Sequence, residues 1–175
     1  MSMWEPKASR IGVGYNLRFM QGAWIAKDRV GSARQAHFHV GQTLKDWRPG
    51  RVSADFNGVL RDLSHEIDLA LWIFGDGQLR GAVVEEDAAS ILLSCQRCPQ
   101  VTITLNAVET PKRREFWLVR EGWTYHADLT NPIELDDSYL HEHEAMLSGG
   151  GQARMCTAEQ GMNVLRLIDE IERIE

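Results

Sequence analysis

The feature that most limits what this chain can fold into is a change of hydrophobic period at Gly75. Upstream of it, Leu60, Leu63, Ile67, Leu71 and Phe74 recur at the spacing of one helix stripe. Downstream, Ala89, Ile91, Leu93 and Cys95 alternate with Ser90 and Ser94, and Val101, Ile103 and Leu105 alternate with Thr102, Thr104 and Asn106. That is the period of strands with one face on a core and one freer face. Phe116, Leu118 and Arg120 continue the alternation to a turn at Gly122, and residues 124–129 extend it. Helical spacing returns at Met162, Leu165, Ile168 and Ile171, behind a Thr157–Gln160 capping box. Helix, strands, helix predicts an α+β fold: a mostly antiparallel open sheet, read as a meander, with helices on one face. The chain of 175 residues carries no repeat and no linker, so one domain is expected.

Inside the first helix, predicted as one rod over residues 58–75 with Asn57 as N-cap, Asp62 and His65 sit three apart on the side opposite the stripe. Leu69 and Ile73 share that side, which predicts that it is covered. A carboxylate and an imidazole placed so can perform acid–base chemistry near neutral pH. The same pattern also fits an ion-paired Asp62 and a hydrogen-bonded core His65.

Elsewhere the signals are shorter. Residues 11–19 read as a strand with Asn16 and Arg18 near its end. Its two glycines do not make a dinucleotide fingerprint, because Leu17 holds the place of the third. Residues 20–29 read as a linker or a short helix. Ser32 to Gln42 alternates as a strand with His37 and His39 on one side and Phe38 and Val40 on the other. Thr43 to Asn57 is a polar loop holding Trp47-Arg48-Pro49-Gly50. Asn131-Pro132 marks a turn, followed by a short strand around Glu134, a helix over 139–147 capped by Asp137 or Ser138, and a break at Ser148-Gly149-Gly150-Gly151.

Composition removes several function classes. The net charge of −6 and the lack of a basic stripe argue against nucleic-acid binding. No apolar run reaches the length of a membrane span. Three cysteines and an N-terminus without the apolar core of a secretory signal predict a cytoplasmic protein. No metal site is expected. Cys95 and Cys98, read as the end of a strand and the turn after it, have no second pair. His37 and His39 have no third ligand at a defined spacing, and His141-Glu142-His143-Glu144 lacks the H-E-x-x-H spacing.

The wording of several stretches carries more than their period. Val13-Gly14-Tyr15-Asn16-Leu17-Arg18-Phe19, Val40-Gly41-Gln42 with Asp46-Trp47-Arg48-Pro49-Gly50, and Gly58 through Asp68 resemble the C-terminal domain of the Gfo/Idh/MocA oxidoreductases. Lys112-Arg113-Arg114, Tyr139 with His143-Glu144-Ala145-Met146-Leu147, and Cys156-Thr157 agree, so the resemblance covers nearly the whole chain.

It implies the substrate and oligomerisation domain of an enzyme that oxidises or reduces a sugar or sugar derivative with NAD or NADP. His65 would be the acid–base group, with an ordinary pKa near 6.5 that suits the role, and Asp62 its orienting partner. Asn16, Arg18, Gln42, Trp47 and Arg48 would touch substrate. The resemblance also implies a homodimer through the free face of the sheet, which carries Leu92 and Trp117, and a Rossmann domain as a separate partner.

The departures are as informative. This chain has no nucleotide-binding half, so no cofactor is expected to bind it alone. Glu5-Pro6-Lys7 has the residues of the family's Glu-Lys-Pro in the wrong order, and Lys7 is not the catalytic lysine. The Asp62–His65 spacing is three where many members have four. The chain is shortened between Gly50 and Gly58, and the helix after Phe19 is abbreviated. A stand-alone binding or assembly module that kept the fold and lost the chemistry is therefore the alternative reading.

Overall fold

The computed structural model describes residues 12–29, 33–43, 58–148 and 153–174. Its centre is β2 (Gln35–Gly41), whose Ala36, Phe38 and Val40 point into the core. Beside it run β3 (Gly77–Val84), β4 (Ala88–Cys95), β5 (Cys98–Asn106), β6 (Arg113–Arg120) and β7 (Trp123–Asp128), in the order β3-β4-β5-β2-β6-β7. The sequence predicts an uninterrupted meander. Instead β2 is inserted between β5 and β6, parallel to the first and antiparallel to the second, so the sheet is mixed at its middle. An early strand returning to the centre cannot be read from alternation, which gives a strand's faces but not its neighbours.

Phe38 stacks on Phe116 at 5.2 Å and meets Phe74 edge-on at 6.0 Å, which seats the central helix on the central strand. That helix is not one rod. α2 (Val59–Asp62) closes at Leu63, and α3 (His65–Phe74) begins after Ser64. The stripe survives the break, since Leu60, Leu63, Ile67 and Phe74 are all buried, and Leu69 and Ile73 are buried on the other side as expected. Asn57, the predicted cap, lies outside the described residues. α3 stops at Gly75, whose φ of 82° favours glycine and whose N–H bonds to the Leu71 carbonyl. Its last carbonyls are met by cations: Lys27 Nζ donates to Trp72 O at 2.6 Å and Arg97 Nη2 to Ile73 O at 2.6 Å.

The remaining elements correct several expectations. The strand expected over 11–19 is only β1 (Gly12–Val13), paired with β8 (Cys156–Thr157), and the chain then tightens into a 3-10 turn at Asn16–Phe19. Buried side chains on both sides of that turn imitate strand alternation. The ambiguous segment is helix α1 (Gln21–Arg29). No strand forms around Glu134; α4 (Pro132–Ser148) starts directly, with Pro132 where no N–H is needed, and runs past the predicted cap. Cys98 opens β5 opposite Cys95 rather than lying in the turn. The capping box is as read: Gln160 N donates to Thr157 Oγ1 and Thr157 N to Gln160 Oε1, opening α5 (Ala158–Ile171). The helices lie on one face of the sheet, and the result is α+β.

Candidate functional site

His65 is the first residue of α3, at the break after α2. Its ring meets Tyr15 edge-on at 5.2 Å. Tyr15 is itself buried, and its phenol bonds to Ser64, so the residue before His65 is held as well. The Nδ1 of His65 is buried and has no hydrogen-bond partner. Burial, and next the positive charge of Arg114, push the imidazole from 6.5 down to about 4. The expectation of an ordinary histidine near 6.5 is thus corrected: the ring is neutral at pH 7 and holds protons weakly.

Asp62 ends α2, one turn ahead. The charge of Arg114, on β6, acts on His65, and the two candidates stand on either side of the helix break. Arg114 faces the buried Glu66 at 2.7 Å, off the line of a good hydrogen bond. Burial pushes the Glu66 carboxyl up while Arg114 pulls it down. Lys112 stands by the same pair, its proton affinity lowered by burial and by Arg114.

One turn further along α3, Asp68 takes Arg18 in a two-pronged contact, Nε to Oδ2 at 2.8 Å and Nη2 to Oδ1 at 2.5 Å. Arg18 Nη1 also donates to Gln160 Oε1 at 2.8 Å and Met155 O at 3.2 Å, which ties the α5 cap to this pair. Cys156 lies 3.6 Å from Asp68, its thiol pushed up to about 12 by burial and is therefore protonated. Asn16 donates to Ser138 Oγ at 2.8 Å, and Ser138 in turn to Leu135 O.

So Asn16 and Arg18 spend their polar atoms on the interior, within bonding reach of α3, α4 and α5. Gln42 is buried beyond the end of β2, and its N–H bonds to Asn106 O. Trp47 and Arg48 lie outside the described residues. Arg18 also borders a cavity of about 290 Å³ at the other end of α3, with Lys27, Trp72, Arg97 and Asn163 among its walls, and His65 is not one of them. The residues that sequence reasoning missed are Tyr15, Glu66 and Arg114. All three stand in stretches that carry the family resemblance, but only the fold brings β6 against α3.

Among the described residues no group of three or more His, Cys, Asp or Glu is placed to hold a metal ion. None of their helices is long and apolar enough to cross a membrane. β1 feeds a 3-10 turn with Leu17 buried, and among the described residues no glycine-rich turn leads a strand into a helix N-terminus.

These elements form an α+β domain with a mixed six-stranded sheet, and solved structures make the fold more particular. The chain aligns with the WlbA (WbpB) dehydrogenase from Thermus thermophilus, solved with NAD and UDP-GlcNAcA, over 90% of its own length and 53% of that chain, at 15% identity and a TM-score of 0.70. UDP-N-acetylglucosamine 3-dehydrogenase GnnA from Acidithiobacillus ferrooxidans aligns over 91% of this chain and 59% of its own, at 16% identity and a TM-score of 0.68. Scyllo-inositol dehydrogenase from Lactobacillus casei, solved with NAD(H) and scyllo-inositol, aligns over 86% and 58%, at 13% identity and a TM-score of 0.68. The chain has the fold of the C-terminal domain of Gfo/Idh/MocA-type dehydrogenases and spans little more than half the length of these proteins. No protein-family profile matches it, and no curated protein does.

Proposed function

We propose that this chain is the substrate-binding and oligomerisation domain of a sugar or sugar-derivative oxidoreductase that moves hydride to or from NAD or NADP together with a Rossmann domain. The observation that carries this reading is the neutral imidazole of His65, wedged against Tyr15 with an unpartnered Nδ1, in a fold shared with sugar and inositol dehydrogenases. His65 takes the proton of the substrate hydroxyl as hydride leaves the carbon, and Asp62 supports it from one turn away. At a pKa of about 4 the ring is a weak base by itself. Proton transfer at neutral pH therefore needs a neighbour that raises that value, and a second domain closing over α3 is where it comes from. Asn16, Arg18 and Gln42 act by shaping the wall behind the substrate, and Trp47 and Arg48 touch it.

The chain pairs with a second copy through the free face of the sheet, where Val83 and Leu92 are exposed toward one end and Val119 near Trp117 toward the other. The three free cysteines accord with a reducing, cytoplasmic setting.

The second reading, a non-catalytic assembly module, is favoured by the weak proton affinity of His65 and by the interior commitments of Asn16 and Arg18. One measurement tests the domain assignment and a second separates the two readings. Titration of the chain alone with NADH, read by nicotinamide fluorescence, is expected to show no saturable binding; micromolar binding contradicts the domain assignment. Adding a cognate Rossmann domain is expected to give NAD(P)-dependent turnover of a nucleotide sugar or inositol. Its absence across such substrates leaves the assembly module.

A further inference from the structure

We propose that the cavity at the C-terminal end of α3 binds a small oxyanion, a phosphate or carboxylate group held by Lys27 and Arg97. His65 is not in its wall, so the site stands independently of the chemistry proposed above.

The cavity lies where α1, the end of α3, the β4–β5 turn and the start of α5 meet. Its volume of about 290 Å³ is at the small end of the range of ligand pockets. Two amides in the wall turn their donors outward. Gln160 Oε1 already accepts from Arg18 and from Thr157 N, and Asn163 Oδ1 accepts from Arg166. Each therefore has its NH2 group left to give. A wall of amide donors and cations suits a ligand that accepts hydrogen bonds.

The charges in the wall do not balance. Arg18 and Asp68 answer each other in their two-pronged pair, and Asp76 accepts from Gln96 Nε2 at 3.3 Å. Lys27 and Arg97 remain, and among the described residues their hydrogen bonds go to carbonyls, one each, at Trp72 and Ile73. A helix C-terminus offers about half a negative charge, and two full cations exceed it. The excess is felt at Lys27. Burial, and then the positive charges of Arg97 and Arg18, bring its ammonium from 10.5 down to about 8, with only Asp68 opposing. This crowding of cations occurs in a chain whose net charge is −6, so it is not a general property of the surface. An oxyanion between Lys27 and Arg97 relieves their repulsion. The planar fork of Arg97, with one of its donors spent on Ile73 O, can meet two oxygens of such a group.

Isothermal titration calorimetry of the full chain with inorganic phosphate, and separately with acetate, tests this in chloride buffer of constant ionic strength. Saturable binding is expected, tighter for phosphate, which brings more charge. Acetate binding the tighter of the two assigns the site to carboxylates instead. Lys27→Met and Arg97→Gln should each weaken binding by about tenfold or more, the worth of a hydrogen bond to a charged group. Arg120→Gln makes the same change of charge outside the wall and should leave binding as it was. Should the wall variants not fold, the unaltered chain still decides the matter. Phosphate is then expected to slow acetylation of Lys27 by an amine reagent, read by mass spectrometry. No saturable binding of either anion overturns the site. So does binding that Arg120→Gln weakens as much as the wall variants do, or a Lys27 that phosphate does not protect.

Discussion

The two faces of the sheet are made by the same strands and obey different rules. On the covered face Phe38, Ile91, Leu93, Val101, Ile103 and Phe116 are almost entirely buried under the helices. On the free face, the residues between them are serines, threonines, histidines, Glu115, Trp117 and exposed aliphatics. The first face is set by packing, and any aliphatic or aromatic of the right volume serves. The second mixes polar and apolar groups in the way of a surface that is wet in one state and covered in another. The proposed pairing would use the second face and leave the first to the core.

The sharpest separation comes from Phe38→Ala, at the centre of the covered face. Removing a ring packed on both Phe74 and Phe116 is expected to cost about 3–5 kcal/mol, measured by urea unfolding. A cost below about 1 kcal/mol means that α3 is not seated on β2 as described.

The next effect is a pH dependence on the covered side. His65 is held at about 4 when folded, against 6.5 when unfolded, so the unfolded chain binds more protons between those values. Stability from this group is complete above about pH 6.5, declines as pH falls toward 4, and changes no further below it. The loss is on the order of 3 kcal/mol at most. Comparing the chain with its His65→Gln variant across that range isolates the term. Parallel stability profiles for the two contradict the burial of the imidazole.

Least costly to the fold, and informative about the other face, is Trp117→Lys. It should shift the unfolding midpoint little, by about 0.5 kcal/mol. It should weaken pairing by about tenfold or more, read by sedimentation. A large loss of stability would move Trp117 from the conditional face to the fixed one.

Much of this was legible in the sequence, and the omissions have physical causes. Alternation identified β4, β5 and β6 and their buried sides, because side-chain direction in a strand depends only on local geometry. The Thr157–Gln160 box named its helix start, since both bonds lie within three residues. What failed depends on distant partners. The insertion of β2 between β5 and β6 is a matter of topology. The break between Asp62 and His65 leaves the helical period intact, so the pattern cannot reveal it. Asn16 and Arg18 were readable as important polar residues near the site. That their partners are Ser138, Asp68 and Gln160 became visible only when α4 and α5 folded back on the turn that carries them. Tyr15 and Arg114 were missed as companions of His65 for the same reason.

The central claim is that His65 performs acid–base work in a sugar oxidoreductase. Its most direct test is steady-state kinetics of the chain assembled with its Rossmann domain, comparing the natural residue with His65→Ala. The account predicts a kcat lower by on the order of 10²–10⁴ with a much smaller change in KM. A kcat near that of the unsubstituted enzyme would contradict it, and would leave His65 as a buried ring that only packs against Tyr15.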